Sequence, residues 1–213
     1  MTHSITKEQY INDPCGVCST AFWKNSFFIK PDEVKIIHEN ELPLLKSNAD
    51  NITRYFRLKH NMKNIDAGDL SERFYFQTVQ IATQITTISE VINQCYENIK
   101  VTPEQVYEWT EYSVFDNELW VFIYQEDTES PVALGIADFD KEINEGSLEW
   151  IQVIPEKRGL GLGKAIVTEL LFRLKRKADF VTVSGLSKDN SNPETMYRKC
   201  GFTGDDIWCV VSQ

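Results

Sequence analysis

A glycine-rich turn is the segment of this sequence whose residue types could do chemistry. It joins a β-branched run to an amphipathic stretch and reads Gln152-Val-Ile-Pro-Glu-Lys-Arg-Gly-Leu-Gly-Leu-Gly-Lys164. Glycines let a backbone approach a ligand closely, and the unpaired N–H groups and dipole at a helix start attract anions. Arg158 adds a positive charge directly before the glycines. The spacing therefore predicts a phosphate-binding turn.

Two common nucleotide motifs do not fit this turn. A P-loop, Gly-x4-Gly-Lys-(Ser/Thr), would need glycine where Arg158 stands and a hydroxyl residue where Ala165 stands. A dinucleotide fingerprint, Gly-x-Gly-x-x-Gly, would need its third glycine at Lys164 or at Ile166. Both nucleotide interpretations are therefore excluded.

Two segments together resemble the GCN5-related N-acetyltransferase (GNAT) superfamily. Residues 153–163, Val-x-Pro-x-x-Arg-Gly-x-Gly-x-Gly, are similar to its acetyl-CoA pyrophosphate loop, (Gln/Arg)-x-x-Gly-x-(Gly/Ala). Residues 190–202, Asn-Ser-Asn-Pro-Glu-Thr-Met-Tyr-Arg-Lys-Cys-Gly-Phe, resemble its Asn-x6-Tyr-x3-Gly-Phe element. The resemblance covers roughly residue 73 to the C-terminus. It implies acetyl-CoA (coenzyme A) as co-substrate and no metal.

The resemblance also implies which residues bind the cofactor. The strand before the turn would pair its backbone with the pantetheine arm, and one of its N–H groups would polarise the thioester carbonyl. Asn190 matches the family asparagine that contacts the same arm. The expected cofactor-binding residues are Ile151, Val153, Arg158, Gly159, Leu160, Gly161, Leu162, Gly163, Lys164 and Asn190.

Two further side chains are candidates for proton transfer. Tyr197 matches the family tyrosine that protonates the departing thiolate, and the alternative is a tyrosine packed near Phe202. An alkylamine must lose a proton before it attacks, which costs about 4.6 kcal/mol at pH 7. Glu149 is the candidate base, since the two-residue strand period places it on the face of Ile151 and Val153. A plain surface carboxylate is the alternative for Glu149.

These residues do not identify the acceptor. Some family members place a glutamate five residues before the asparagine, but this chain has Gly185 there. We expect the acceptor pocket between two predicted helices and the following strands, although core packing is the ordinary explanation for its aromatic residues. The candidates are Trp109, Glu111, Tyr112, Phe115 and Asp116.

The leading hypothesis is an acetyl-CoA-dependent N-acetyltransferase that transfers acetyl directly to a primary amine of a small molecule. The alternatives are a non-catalytic acyl-CoA-binding module and a protein or peptide N-acetyltransferase. The resemblance also allows a homodimer. Lys157, Lys164 and the basic residues at 173–177 could attract coenzyme A phosphates, or could be an ordinary solvated helix end.

Composition limits the other partners. The net charge of -10 over 213 residues disfavours nucleic acid. We find neither a signal peptide nor 18 consecutive apolar residues, so we expect a cytoplasmic protein with no membrane partner. Five scattered cysteines indicate reduced thiols. The pair Cys15 and Cys18 has no second pair with which to bind zinc.

These residues must be positioned by a mixed α+β fold. From residue 73 onward, patterns predict a strand at 74–81, helices at 89–98 and 103–115, and strands at 119–125, 131–139 and 147–154. A helix after the turn, a strand at 180–184, a helix at 193–200 and a strand at 207–211 follow. The predicted GNAT fold is a mixed, mostly antiparallel sheet with helices on both faces.

The first 72 residues are predicted to be an N-terminal extension packed on the acetyltransferase domain of residues 73–213. Thr6 to Gln9 is a capping box that predicts a short helix. Residues 34–38 are predicted as a strand and residues 51–62 as a helix.

Overall fold

The computed structural model describes residues 5–26, 34–44, 51–65, 67–187 and 192–212. Within these ranges the regular elements are α1 (Lys7–Asn12), β1 (Val34–His38), β2 (Asn51–His60), β3 (Phe74–Thr78), α2 (Ile81–Cys95), α3 (Pro103–Thr110), β4 (Trp120–Gln125), β5 (Ala133–Asp140), β6 (Glu145–Val153), α4 (Leu162–Leu174), β7 (Phe180–Leu186), α5 (Pro193–Lys199) and β8 (Thr203–Ser212). They fall into two compact units. We call residues 62–179 the central unit, and residues 1–61 with 180–213 the terminal unit.

The central unit is built on an antiparallel ladder of β3, β4, β5 and β6. All eight residues of β5 are buried, so both faces of the ladder are covered there. One cover is α4, which lies so close to β5 that a Cβ on Gly135 would meet Ile166 Cγ2 at 2.2 Å. Only glycine permits this approach. This close contact between Ile166 and β5 positions the first turns of α4, which begin where the glycine turn ends.

The terminal unit is a second antiparallel ladder in which β8 pairs with β1 and β2, and β2 pairs with β7. The prediction of a helix at residues 51–62 is therefore wrong, because Asn51–His60 is β2. This stretch is rich in β-branched and aromatic residues, which favour a pleated surface. Phe56 and Leu58 are fully buried, and they contribute to the core of this unit.

The remaining element predictions largely agree with the structure. The predicted capping box at Thr6 forms, and α3 begins at Pro103 as predicted, after a second capping box at Thr102. β1 is confirmed, while α2 starts at Ile81, eight residues earlier than predicted. The predicted fold class, mixed α and β with mostly antiparallel strands, is confirmed.

The first 61 residues share the terminal unit with the last 34, from Phe180 to Gln213. A boundary between residues 72 and 73 stays a prediction. None of the helices in the described ranges is both long and apolar enough to cross a membrane.

Buried Arg57 on β2 connects the N-terminal segment to the ladder of the terminal unit. Its side chain donates to the carbonyl oxygens of Pro14 (3.1 Å) and Thr20 (2.8 Å), and to the hydroxyls of Tyr10 (2.7 Å) and Ser184 (2.9 Å). Because the residue is only 2% exposed, these acceptors replace water around its charge. The segment around α1 is thus fastened to β2 and β7.

Candidate active site

The glycine turn forms an open backbone cradle at the start of α4. Gly159 (φ +80°) and Gly161 (φ +81°) both adopt the left-handed conformation. A Cβ built on either would meet no heavy atom of the described chain within 4 Å. The first hydrogen bond at this end of α4 runs from Ala165 N to Gly161 O (3.0 Å), so the preceding N–H groups have no acceptor inside the helix. This arrangement fits a phosphate ligand such as the pyrophosphate of acetyl-CoA.

The cations near this cradle are mostly engaged with protein groups. Arg158 donates to two backbone carbonyls, and Lys157 donates to Gln125 Oε1 (2.7 Å). At the opposite end of α4, Arg173 pairs with Glu169 and Lys175 donates to a backbone carbonyl. Lys164 is exposed at the start of α4, and no hydrogen bond or ion pair of its side chain occurs within the described ranges. Among the described residues beside the cradle, Lys164 is therefore a cation that remains available for phosphate.

A β-bulge at Glu149 changes which side of β6 this carboxylate occupies. Across the β5–β6 ladder, Ile136 pairs with Trp150 but Ala137 pairs with Leu148, which leaves Glu149 as the extra residue. Ser147 Oγ donates to Glu149 Oε1 (3.0 Å), so these two side chains lie on one side.

Because the bulge adds one residue to β6, the side chains of Trp150 and Gln152 lie on the same side of this strand as those of Ser147 and Glu149. The prediction that Glu149 shares a face with Ile151 and Val153 is therefore wrong. A two-residue period holds only in a strand without a bulge. The carboxylate itself is partly buried next to Trp150.

The backbone N–H and C=O groups of Ile151 and Val153 point away from β5. Ile154 N donates to Val132 O (3.1 Å), which fixes the alternation of N–H groups along this end of β6. The N–H groups of residues 151 and 153 therefore lie on the opposite edge from β5. The carbonyl of Val153 on that edge already accepts hydrogen bonds from Arg158 Nε (3.2 Å) and Cys95 Sγ (3.5 Å).

An aromatic cluster lies beside Glu149. The sequence analysis identified one of its members, Trp109, but missed Trp150 and Tyr96. Trp150 stacks on Trp109 with ring centroids 5.5 Å apart and an interplanar angle of 19°. Tyr96 meets Trp150 edge-on at 6.2 Å, and its hydroxyl accepts from Gln152 Nε2 (2.9 Å). Tyr96 is 37% exposed, so the cluster reaches the surface of the central unit.

The expected acceptor residues separate into two groups. Trp109 joins the aromatic cluster, and Tyr112 is exposed at 40%. Phe115 instead packs edge-on against buried Trp120 at 5.2 Å. Asp116 accepts from Glu118 N (3.0 Å) and pairs with Lys177 (2.6 Å). These contacts make Phe115 and Asp116 structural, whereas Glu111 is exposed.

Tyr197 lies in the terminal unit, on α5. It is 7% exposed, and its ring packs against Phe56 at 6.0 Å and Phe202 at 5.7 Å. Asn192 is the N-cap of α5, and its side chain accepts a hydrogen bond from Thr195 N (3.4 Å). The candidate Asn190 lies outside the described residues.

The cysteines and acids provide no metal centre in the part of the chain that the structure describes. No three His, Cys, Asp or Glu side chains lie close enough together there to bind a metal ion. All five cysteines are free thiols. Burial raises the pKa of Cys15 to about 11, which keeps this thiol protonated. Cys18 donates to Asn25 Oδ1 (3.2 Å).

Comparison with known proteins agrees with this geometry. Residues 116–204, which contain the glycine turn and Tyr197, match the family model described as Acetyltransferase (GNAT) domain. No curated protein matches the sequence significantly.

Solved structures share the fold. A GCN5-related N-acetyltransferase from Sphaerobacter thermophilus has 15% identity and a TM-score of 0.73, with coverage of 84% of this chain and 58% of that one. A GNAT-family acetyltransferase from Colwellia psychrerythraea has 16% identity and a TM-score of 0.61, with coverage of 84% and 64%. The NatC complex bound to Gag peptide and CoA has 15% identity and a TM-score of 0.54, with coverage of 66% and 99%.

At these identities the structural likeness shows the fold alone, and this chain spans less than two thirds of the length of the first two structures. The family model and the shared fold nevertheless agree on the same domain. Residues 116–204 therefore match a GNAT acetyltransferase domain, and the chain shares the fold of these solved structures.

Proposed function

We propose that the protein is an acetyl-CoA-dependent N-acetyltransferase that transfers acetyl directly to the primary amine of a small molecule. The observation that carries the proposal is the open cradle at Gly159 and Gly161, where the first N–H groups of α4 have no acceptor inside the helix and could bind phosphate oxygens. The match of residues 116–204 to the acetyltransferase domain supports the same conclusion.

The residues around the cradle fit coenzyme A. The backbone of residues 159–164 would hold the pyrophosphate. The N–H groups of Ile151 and Val153 would pair with the pantetheine arm, and one of them would polarise the thioester carbonyl. When bound, acetyl-CoA supplies an activated acetyl group. The chain must then deprotonate the amine, exclude water and return a proton to the sulfur.

Glu149 is the proposed base. Ser147 orients its carboxylate, and the bulge directs it to the side of Trp150 rather than to the side of Ile151. A carboxylate beside aromatic rings suits a protonated amine, since it attracts the cation and the ring faces add cation–π attraction. The carboxylate would take the ammonium proton directly or through one water molecule.

Tyr197 is the proposed proton donor to the sulfur. Its ring is fixed between Phe56 and Phe202, which limits the number of positions that its hydroxyl can take. This assignment rests on the match of residues 190–202 to the family element. Asn190 keeps its proposed contact with the cofactor arm on the same basis.

The acceptor class is proposed from the aromatic cluster and its acidic surroundings. Small amines suit partly buried Trp109 and Trp150, which lie beside exposed Tyr96. Glu111, two residues after Trp109 in the sequence, is exposed. A protein or peptide amine is a second candidate, because the NatC complex was solved with a peptide and CoA and shares the fold. The free thiols support the proposal of a cytoplasmic protein.

The test is turnover of the wild type and of Tyr197→Phe. Release of free thiol from acetyl-CoA is measured against a panel of small amines and amino-terminal peptides. We expect Tyr197→Phe to lower kcat by roughly 100-fold or more, the usual effect of losing a positioned acid, without changing the Kd for acetyl-CoA.

Tyr75→Phe is the matched control, since this tyrosine is exposed and stacks on Tyr124 in the central unit. Unchanged turnover in Tyr197→Phe would remove the proton-donor role. Tight acetyl-CoA binding without transfer to any amine or peptide would indicate the non-catalytic binding module instead.

A further inference from the structure

The guanidinium group of Arg158 contacts two backbone carbonyls in the central unit, although the sequence predicts that it binds phosphate. Its Nε donates to Val153 O (3.2 Å) and its Nη2 donates to Cys95 O (3.3 Å). Val153 is the last residue of β6 and Cys95 the last residue of α2. One side chain thus links the glycine turn to the ends of a strand and a helix.

The end of α2 requires such a partner. The last four carbonyl groups of a helix accept no hydrogen bond within the helix, and the helix dipole places partial negative charge at this C-terminal end. The last turn of α2 contains no basic residue. Arg158 supplies both the donor and the positive charge from a different part of the chain.

Neighbouring contacts hold the same junction together. Cys95 Sγ donates to Val153 O (3.5 Å), and burial raises the pKa of this thiol, which keeps it protonated and able to donate. Tyr96 accepts from Gln152 Nε2 (2.9 Å) and meets Trp150 edge-on. Among these side chains, only Arg158 also belongs to the phosphate turn.

We infer that Arg158 is a positioning residue that couples the glycine turn to the end of α2, and is not itself a phosphate ligand. Its consequence for catalysis rests on the proposed function. If the turn and the helix end are linked, a ligand on the turn and a ligand on the Tyr96–Trp150 surface must change each other's affinity by the same factor. Arg158 would then let bound acetyl-CoA prepare the acceptor surface.

Hydrogen exchange of the free protein tests the link without any ligand. In Arg158→Met, the amides in the last turn of α2 should exchange about tenfold faster, as expected for the loss of one charge-assisted hydrogen bond. Arg176→Met is the matched control, because Arg176 is exposed beyond α4 and the substitution removes the same charge. Equal exchange in the wild type and Arg158→Met would overturn the inference.

Two ligands then separate positioning from phosphate binding. Acetyl-CoA carries the pyrophosphate, whereas S-acetylpantetheine carries the same thioester arm without it. We expect Arg158→Met to weaken both ligands by the same factor, because the end of β6 shifts for both. Loss of tenfold or more for acetyl-CoA alone would identify Arg158 as a phosphate ligand and refute positioning.

These outcomes are distinct from failure of the proposed function. If the wild type binds neither ligand, the acetyltransferase proposal fails, while the exchange measurement still decides whether Arg158 holds α2.

Discussion

Gly161→Ala should damage cofactor binding far more than it damages folding. Gly161 is the N-cap of α4 at φ +81° and ψ 0°, a conformation that costs an L-residue about 1–2 kcal/mol. Because a Cβ at residue 161 would meet no atom of the described chain within 4 Å, we expect no steric clash to increase this loss of folding free energy. In a protein of this size, each kcal/mol lowers Tm by about 2–4 °C.

The same methyl group would project into the space that the phosphate groups must enter. We therefore expect Gly161→Ala to weaken acetyl-CoA by at least tenfold, since the ligand must withdraw from the N–H groups at the start of α4. Thermal unfolding measures the first effect, and titration calorimetry at a temperature well below Tm measures the second.

Gly204→Ala is the control for this experiment. Gly204 also has a positive φ, of +128°, but it lies on β8 in the terminal unit. It should lower Tm without changing the Kd for acetyl-CoA. If Gly161→Ala lowers Tm yet binds acetyl-CoA within twofold of the wild type, the turn does not hold the cofactor and the reasoning is refuted.

Two further predictions concern stability. Arg57→Met should lower the free energy of unfolding by roughly 2–5 kcal/mol in urea titrations, because the carbonyls of Pro14 and Thr20 lose their buried donor. A loss below about 0.5 kcal/mol would contradict a stabilising role for these hydrogen bonds. Burial lowers the pKa of His60 below its ordinary 6.5, so the unfolded chain binds a proton first and stability falls as pH drops through 6.5. His60→Gln should show a smaller loss between pH 7.5 and pH 5.5, and parallel curves would disprove this role.

The features that could be predicted from the sequence depend on local chemistry. The glycine turn was predictable because only glycine adopts φ near +80° without strain, and because helix starts bind anions wherever they occur. The capping boxes at Thr6 and Thr102 were likewise predictable, since all their hydrogen bonds lie within four residues.

The parts that were missed depend on contacts between distant residues. β2 resembled a helix because its partners, β7 and β8, lie more than 100 residues along the chain. The bulge at Glu149 arises from the register with β5, so no period within β6 reveals it. The contact of Arg158 with the carbonyl of Cys95 could not be predicted either, because the two residues are 63 positions apart in the sequence.

Titration of the wild-type protein with acetyl-CoA tests the central claim most directly. The claim is that the cradle at residues 159–164 binds the cofactor of an N-acetyltransferase. We predict a Kd in the micromolar range, about -8 kcal/mol, followed by thiol release when an accepted amine is added. Absence of binding at millimolar acetyl-CoA would contradict the account.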